Sequence, residues 1–132
     1  MPLTKLDHFL VFTNDLETTK DFYCDVLGME VGDRPAFNFP GYWIYVDGRA
    51  VVHLATKSAE LEQYLGDRDD SGGTGPIDHI AFTGEAINDF KNRFDQLEIP
   101  FHEREVPGFD LTQLFVDDPN GVKIELNFFH PA

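Results

Sequence analysis

The sequence predicts an α+β fold built from two βαβββ modules, and three observations lead there. A strand-like run with a histidine at its third position occurs twice, as Leu6-Asp7-His8-Phe9-Leu10-Val11-Phe12-Thr13 and as Ile77-Asp78-His79-Ile80-Ala81-Phe82-Thr83. Each copy is followed by an acidic segment with helical spacing and then by three further strand patterns. Between the halves, residues 57–76 are dense in Gly and Asp and read as a linker. The expected organisation is one domain over residues 1–132, with module one at 3–56 and module two at 77–128.

In the first half, Leu3 to Thr13 alternates as a strand, placing Leu6, His8, Leu10 and Phe12 on one face and Asp7, Phe9 and Val11 on the other. Asn14 or Asp15 can cap the helix that follows, with Glu17 as the return partner of a capping box. Leu16, Thr19, Phe22, Tyr23, Val26 and Leu27 recur along it at spacings of three and four, and Gly28 supplies a left-handed stop. Met29 to Gly32 reads as a short strand. Tyr42 to Val46 and Ala50 to Thr56 read as two more, joined through Asp47-Gly48, a tight-hairpin signal. A helical turn is expected around Ala59 to Leu65.

The order then repeats. Ile77 to Thr83 is a strand, and Glu85 to Leu97 a helix with Ile87, Phe90, Phe94 and Leu97 on one stripe, ended by Pro100. Phe101 to Glu105, Leu111 to Val116 and Val122 to Phe128 complete the second module, with turns at Val106-Pro107-Gly108 and Asp117 to Gly121. Aligning the halves matches His8 with His79 and Tyr45-Val46-Asp47 with Phe115-Val116-Asp117. Two extra residues in the second hairpin then set His53 opposite Glu125.

Composition narrows the functional classes. The formal charge of -14 repels phosphate backbones and anionic lipid headgroups, so neither nucleic acid nor a membrane surface is an expected partner. An anionic substrate has to be caught locally by Arg34, Arg49, Arg68, Arg93 or Arg104, which favours a neutral or aromatic one. The single cysteine, Cys24, has no intramolecular disulfide partner and sits in a helical pattern as a packed thiol. No apolar run approaches the ~20 residues of a membrane span, and no signal-peptide pattern opens the chain, so a cytoplasmic location is expected.

Three imidazoles and one carboxylate stand mid-strand on faces whose opposite sides are aliphatic. The period of two sends such groups to one surface and the hydrophobes to the other, as a divalent-metal site on a curved sheet requires. His8, His79 and Glu125 make a 2-His-1-carboxylate set, which leaves positions open for substrate or oxygen. His53 is either a fourth ligand or a catalytic imidazole beside them. His102 and His130 lack this placement and are expected at the surface.

These residues resemble the vicinal oxygen chelate superfamily of glyoxalase I, fosfomycin-resistance proteins, methylmalonyl-CoA epimerase and extradiol dioxygenases. The resemblance rests on the two βαβββ modules, the histidine that opens each, and Glu125 within Asp118-Pro119-Asn120-Gly121-Val122-Lys123-Ile124-Glu125-Leu126. It implies a cupped mixed β-sheet around a divalent metal that acts as a Lewis acid, with His8, His79 and Glu125 at ligand positions. His53 departs from the bacterial glyoxalase I pattern, which usually has a carboxylate there, and is similar to the acid-base histidine of extradiol dioxygenases. An iron(II) extradiol-type enzyme opening a catecholic ring is therefore the first expectation, with Phe12, Phe37, Phe39, Tyr42 and Trp43 walling an aromatic pocket.

Two alternatives follow from the same resemblance. One is a glyoxalase-like lyase or isomerase using nickel, zinc or manganese, with His53 as fourth ligand and Glu125 as base. The other is a bleomycin-resistance-like protein that binds an aromatic ligand without catalysis. Short members of the superfamily commonly dimerise, so a homodimer is expected.

Overall fold

The computed structural model describes residues 5–56, 58–65 and 77–130. Leu3 and Thr4, and residues 57 and 66–76 of the expected linker, lie outside these. The chain divides into two compact units, residues 1–70 and 71–132. The described residues form two four-stranded mixed sheets, one in each unit. The expected α+β class with two βαβββ modules is what the chain adopts.

In the first unit the order is β1 (Phe9–Phe12), α1 (Leu16–Asp21), β2 (Glu30–Gly32), β3 (Gly41–Val46), β4 (Arg49–Ala55) and α2 (Ala59–Leu65). The sheet order is β1-β4-β3-β2, with β1 parallel to β4 and the other pairs antiparallel. Asp15, rather than Asn14, caps α1, accepting from the Thr18 N–H at 3.0 Å and the Thr18 hydroxyl at 2.8 Å. Glu17 does not close a capping box: it accepts from the Tyr42 hydroxyl and lies 3.5 Å from Lys20 Nζ.

The first helix does not run on as a regular α-helix. From Phe22 to Val26 it widens into a π-helical turn, in which the Leu27 N–H reaches back to the Phe22 carbonyl. That extra width sets Phe22, Tyr23, Val26 and Leu27 together in the core, and Gly28 ends the segment at φ 79. Cys24 is half-buried, and burial pushes its thiol up, away from nucleophilic reactivity.

The second unit contains β5 (His79–Thr83), α3 (Ile87–Gln96), β6 (His102–Val106), β7 (Leu111–Asp117) and β8 (Lys123–Phe129), in sheet order β5-β8-β7-β6. Here β5 is parallel to β8. α3 begins after Ala86, whose φ of 62 breaks the chain direction two residues later than the pattern suggested. It stops at Gln96, short of Pro100, because Glu98 turns left-handed at φ 56. Phe94 is fully buried, whereas Leu97 is exposed and leaves the stripe.

Alternation then divides each sheet into two faces. Ile44, Val52 and Leu54 in the first, and Leu114, Ile124 and Leu126 in the second, are buried almost completely, each side chain worth about 1.5–3 kcal/mol of apolar burial. His53 and Glu125 belong to the opposite faces.

Cross-strand register makes the repeat quantitative. Leu10 and Trp43 flank His53, while Ala81 and Phe115 flank Glu125. His8 precedes Leu10 by two residues and His79 precedes Ala81 by two, so the pairing of His8 with His79 and of His53 with Glu125 holds. The equivalent of Phe115 is Trp43, not Tyr45, and no residues are inserted in the second hairpin. The first hairpin zips through a bulge at Ile44/Tyr45 to a two-residue turn, where Asp47 and Gly48 both have positive φ. The second opens earlier, after the Asp117–Lys123 pair. There Asp118 Oδ1 accepts from the N–H groups of Asn120 and Val122, each at 2.8 Å.

Among the described residues no helix is long and apolar enough to cross a membrane.

The cap on α1 makes a pH-dependent prediction. Hydrogen bonds from the Thr18 backbone, then from its hydroxyl, hold the Asp15 carboxyl below its ordinary 3.8. A carboxylate with a depressed folded pKa stabilises the fold above the unfolded value and loses that contribution as pH falls through the folded value. Asp15→Ala is therefore expected to lower the thermal midpoint at pH 7. The difference from the parent protein should shrink below about pH 3.8; a difference independent of pH would contradict the cap.

Candidate functional site

The first module presents three flat rings in a stack. His53, at the centre of β4, has His8 on one side at a centroid distance of 3.8 Å and Trp43 of β3 on the other at 4.1 Å, each inclined by 11°. Strand register causes this: Trp43 is the antiparallel partner of His53, and His8 enters two residues ahead of its parallel partner Leu10.

Hydrogen bonds assign the tautomers. The ionised Asp7 carboxylate only accepts, so His8 Nδ1–H donates to Asp7 Oδ2 at 2.6 Å and His8 Nε2 carries the free lone pair. The Ala50 carbonyl likewise only accepts, so His53 Nε2–H donates to it at 3.1 Å, leaving Nδ1 as the basic atom. Burial, followed by the neighbouring His8, pushes the pKa of His53 down, so this imidazole is held neutral.

The second module repeats the first half of this arrangement. His79 Nδ1–H donates to Asp78 Oδ1 at 2.9 Å, which turns His79 Nε2 toward Glu125 Oε1 at 3.4 Å. In each copy the aspartate is depressed chiefly by its hydrogen bond to the adjacent histidine.

Glu125 is buried, and its other oxygen, Oε2, accepts from Asn127 Nδ2 at 2.9 Å. Behind Asn127 stands a relay: Gln113 Nε2 donates to Asn127 Oδ1 at 2.9 Å, and Arg104 donates to Gln113 Oε1 from Nε at 2.9 Å and Nη2 at 2.5 Å. One carboxylate oxygen is thus tethered while the other faces His79.

The structure brings the four expected site residues together as two pairs, His8 with His53 in one module and His79 with Glu125 in the other. Among the described residues no group of three or more His, Cys, Asp or Glu side chains is arranged to hold a metal ion.

The donor chemistry nevertheless fits a divalent ion. The 3.4 Å between His79 Nε2 and Glu125 Oε1 is long for an N–H···O bond, and it matches two ligands about 2.1 Å from a tetrahedral ion, which lie about 3.4 Å apart. Histidines whose second nitrogen is braced by a carboxylate are the usual orientation of metal-ligating imidazoles. His8, His79 and Glu125 present their free donors in this way; His53 is braced by a backbone carbonyl instead.

Each module has a cavity on this face. The first, about 530 Å³, contains His8, His53, Phe37, Phe39 and Trp43 among its walls. Tyr42 is not among them, because its hydroxyl turns to Glu17; Phe12 packs against the cluster of Phe39, Ala55 and Leu61. The second cavity, about 500 Å³, contains His79, Glu125, Arg104, Phe115 and His102. His102 is exposed as expected, yet it lines this cavity. His130 accepts or donates at Thr112 Oγ1 over 2.6 Å, away from it.

Sequence reasoning missed Asp7, Asp78 and Asn127 as supports. The adjacent Asp-His dipeptide in both copies was a legible signal; the Gln113–Asn127 relay is visible only through strand register.

The chain matches the family described as the Glyoxalase/Bleomycin resistance protein/Dioxygenase superfamily over residues 5–126. It is 27% identical over 130 residues to Glyoxylase I 4 of Arabidopsis thaliana, covering 94% of this chain and 70% of that protein. In fold it is similar to the fosfomycin resistance protein FosX from Listeria monocytogenes, with a TM-score of 0.72, 16% identity and coverage of 98% and 96% of the two chains. It is also similar to lactoylglutathione lyase from Agrobacterium tumefaciens, with a TM-score of 0.64, 22% identity and coverage of 97% and 96%.

Tautomers supply the direct check on this geometry. Well above neutral pH, long-range proton–nitrogen correlation spectra should place the proton of His8 and His79 on Nδ1 and that of His53 on Nε2. A spectrum with all three in one tautomer would contradict the bracing.

Proposed function

The chain belongs to the Glyoxalase/Bleomycin resistance protein/Dioxygenase superfamily, and on that premise we propose that it is a divalent-metal-dependent enzyme acting on a small molecule with vicinal oxygens. His8, His79 and Glu125 hold the metal in this reading, His53 moves protons, and the working form is a homodimer. The observation that carries it is the repeated Asp-His brace, which engages Nδ1 of both histidines and leaves the Nε2 of each to face outward, that of His79 toward Glu125. A bound divalent ion supplies a Lewis acid for adjacent substrate oxygens and, as iron(II), a partner for dioxygen.

Iron(II) extradiol-type opening of a catecholic ring is the reaction we assign first. The aromatic cavity beside His53 supports it: Phe37, Phe39 and Trp43 offer flat apolar surface to a ring, within the 300–1,000 Å³ usual for small-molecule sites. His53 takes the proton of a substrate hydroxyl on Nδ1 and returns it later, while its Nε2–H stays on the Ala50 carbonyl. The second reading is a glyoxalase-like lyase or isomerase using nickel, zinc or manganese, favoured by the likeness to Glyoxylase I 4. Oxygen uptake with simple catechols under iron(II) separates the two, since isomerisation of a hemithioacetal consumes none. Retention of aromatic ligands with neither activity would point to a binding protein.

Substitutions distinguish ligand from proton carrier. Protein purified without chelator or affinity tag should contain one divalent ion per site, and His79→Ala or Glu125→Ala should remove it. His53→Gln is expected to retain the metal and lower kcat by about 10²–10⁴-fold, the usual weight of an acid-base group. Loss of metal in that variant would make His53 a ligand.

Asn127→Ala tests the relay separately. It should weaken metal affinity by about 10–100-fold, as loss of a carboxylate support does, with little change in fold. Unchanged affinity would leave Glu125 independent of Asn127.

A further inference from the structure

The charge around the first module's cavity runs against the charge of the chain. Three of the ten Lys and Arg side chains, Lys5, Arg34 and Arg49, line this cavity in a protein of formal charge -14. Asp7 is the one carboxylate among its described walls, and that carboxylate holds His8.

Arg34 is placed for a ligand. It lies half-buried over the rings of Phe37 and Phe39, at 5.0 and 5.1 Å, and donates Nη2–H to the Phe39 carbonyl at 2.9 Å. Among the described residues no carboxylate forms an ion pair with it, and the Phe39 carbonyl takes one of its five N–H donors. A Cβ at position 41 would come 2.3 Å from the Leu54 carbonyl oxygen and 2.9 Å from Arg34 Nη2, so Gly41 leaves room for the β4 backbone and for the guanidinium.

The repeat provides an internal control. Gly32 pairs with Trp43 as His102 pairs with Phe115, and two residues beyond each stands an arginine, Arg34 and Arg104. Arg104 directs Nε and Nη2 to Gln113 Oε1 and lies over Phe115. It is occupied in the relay behind Glu125, whereas Arg34 serves no such relay. Stacked on two rings and only part-buried, Arg34 is held at the cavity wall with a planar fork that an anionic group can accept from.

We propose that the first module's cavity binds a flat molecule bearing an oxyanion, with Arg34 receiving the anionic group, Lys5 and Arg49 adding positive field, and Phe37 and Trp43 flanking the flat body. This inference rests on the reading of the same cavity as the substrate's place, and it adds that the substrate is an acid. The negative net charge pointed to a neutral substrate; the local arrangement inverts that preference.

Trp43 is the only tryptophan in the chain and lines the cavity, so its fluorescence reports occupancy. Full-length protein, as purified and again after chelator treatment, is titrated with benzoate, phenylphosphonate and the neutral benzyl alcohol. The anion of the fitting geometry is expected to quench saturably and to bind about tenfold or more tightly than the alcohol, as charge-assisted hydrogen bonds require. Benzoate above phenylphosphonate identifies a carboxylate, and the reverse order a phosphonate or phosphate.

Arg34→Gln should abolish that preference, while Arg93→Gln, a charge removed from α3, should keep it. Should Arg34→Gln fail to fold, Arg34→Lys decides, because it keeps the charge and loses the planar fork; a weakened preference is then expected. Equal affinity for alcohol and anion, or a preference that either Arg34 variant leaves unchanged, would overturn the inference. Anion binding that persists after chelation in a protein that never retains a divalent ion removes the metal-enzyme reading alone. Retained metal with turnover of neutral catechols and no anion preference removes this inference alone.

Discussion

The parallel pairing of a module's first strand with its last is the constraint on which the rest depends. Parallel neighbours cannot be joined by a tight turn, so a long crossover must intervene, and in each module a helix and two strands supply it. The same pairing sets His53 beside Leu10 and Glu125 beside Ala81, within reach of the histidine two residues earlier in each case. Topology and chemistry are therefore fixed by one set of hydrogen bonds. A slip of one residue would turn every one of these groups into the apolar core.

Symmetry in the backbone has not kept the side chains alike. One module stacks His8, His53 and Trp43 in parallel planes, and its polar contacts end on a backbone carbonyl. The other tethers Glu125 through Asn127, Gln113 and Arg104, a chain of amides ending on a charge. Equivalent strand positions thus carry a neutral ring in one copy and a braced carboxylate in the other.

Much of this was legible in the amino-acid order. The two strand-histidine runs, the Asp47-Gly48 hairpin and the alternation along Val122 to Phe128 gave both modules with boundaries within a few residues, and the pairing of His8 with His79 followed from them. Three features were not legible. The π-helical turn at Phe22–Val26 leaves the apolar spacing nearly unchanged, because its widening is a response to packing. The hairpin alignment matched Tyr45-Val46-Asp47 to Phe115-Val116-Asp117 by residue type and so fell two residues out, because the bulge at Ile44/Tyr45 and the different turn lengths leave no mark in composition. Nor does a net charge report local arrangement: it sums over the surface, whereas Lys5, Arg34 and Arg49 gather at one cavity from segments far apart in sequence.

The adjacent Asp-His dipeptide has a consequence for how such a chain can arise and diverge. Each histidine is oriented by the residue directly before it, at 2.6 Å in one copy and 2.9 Å in the other. The instruction for aiming the ring is contained in two consecutive codons and needs no distant strand to supply it. Copying a short segment therefore copies an aimed imidazole along with it. Selection could then remodel the loops, the fourth-strand residue and the cavity walls of either half without having to rediscover the direction in which its histidine points.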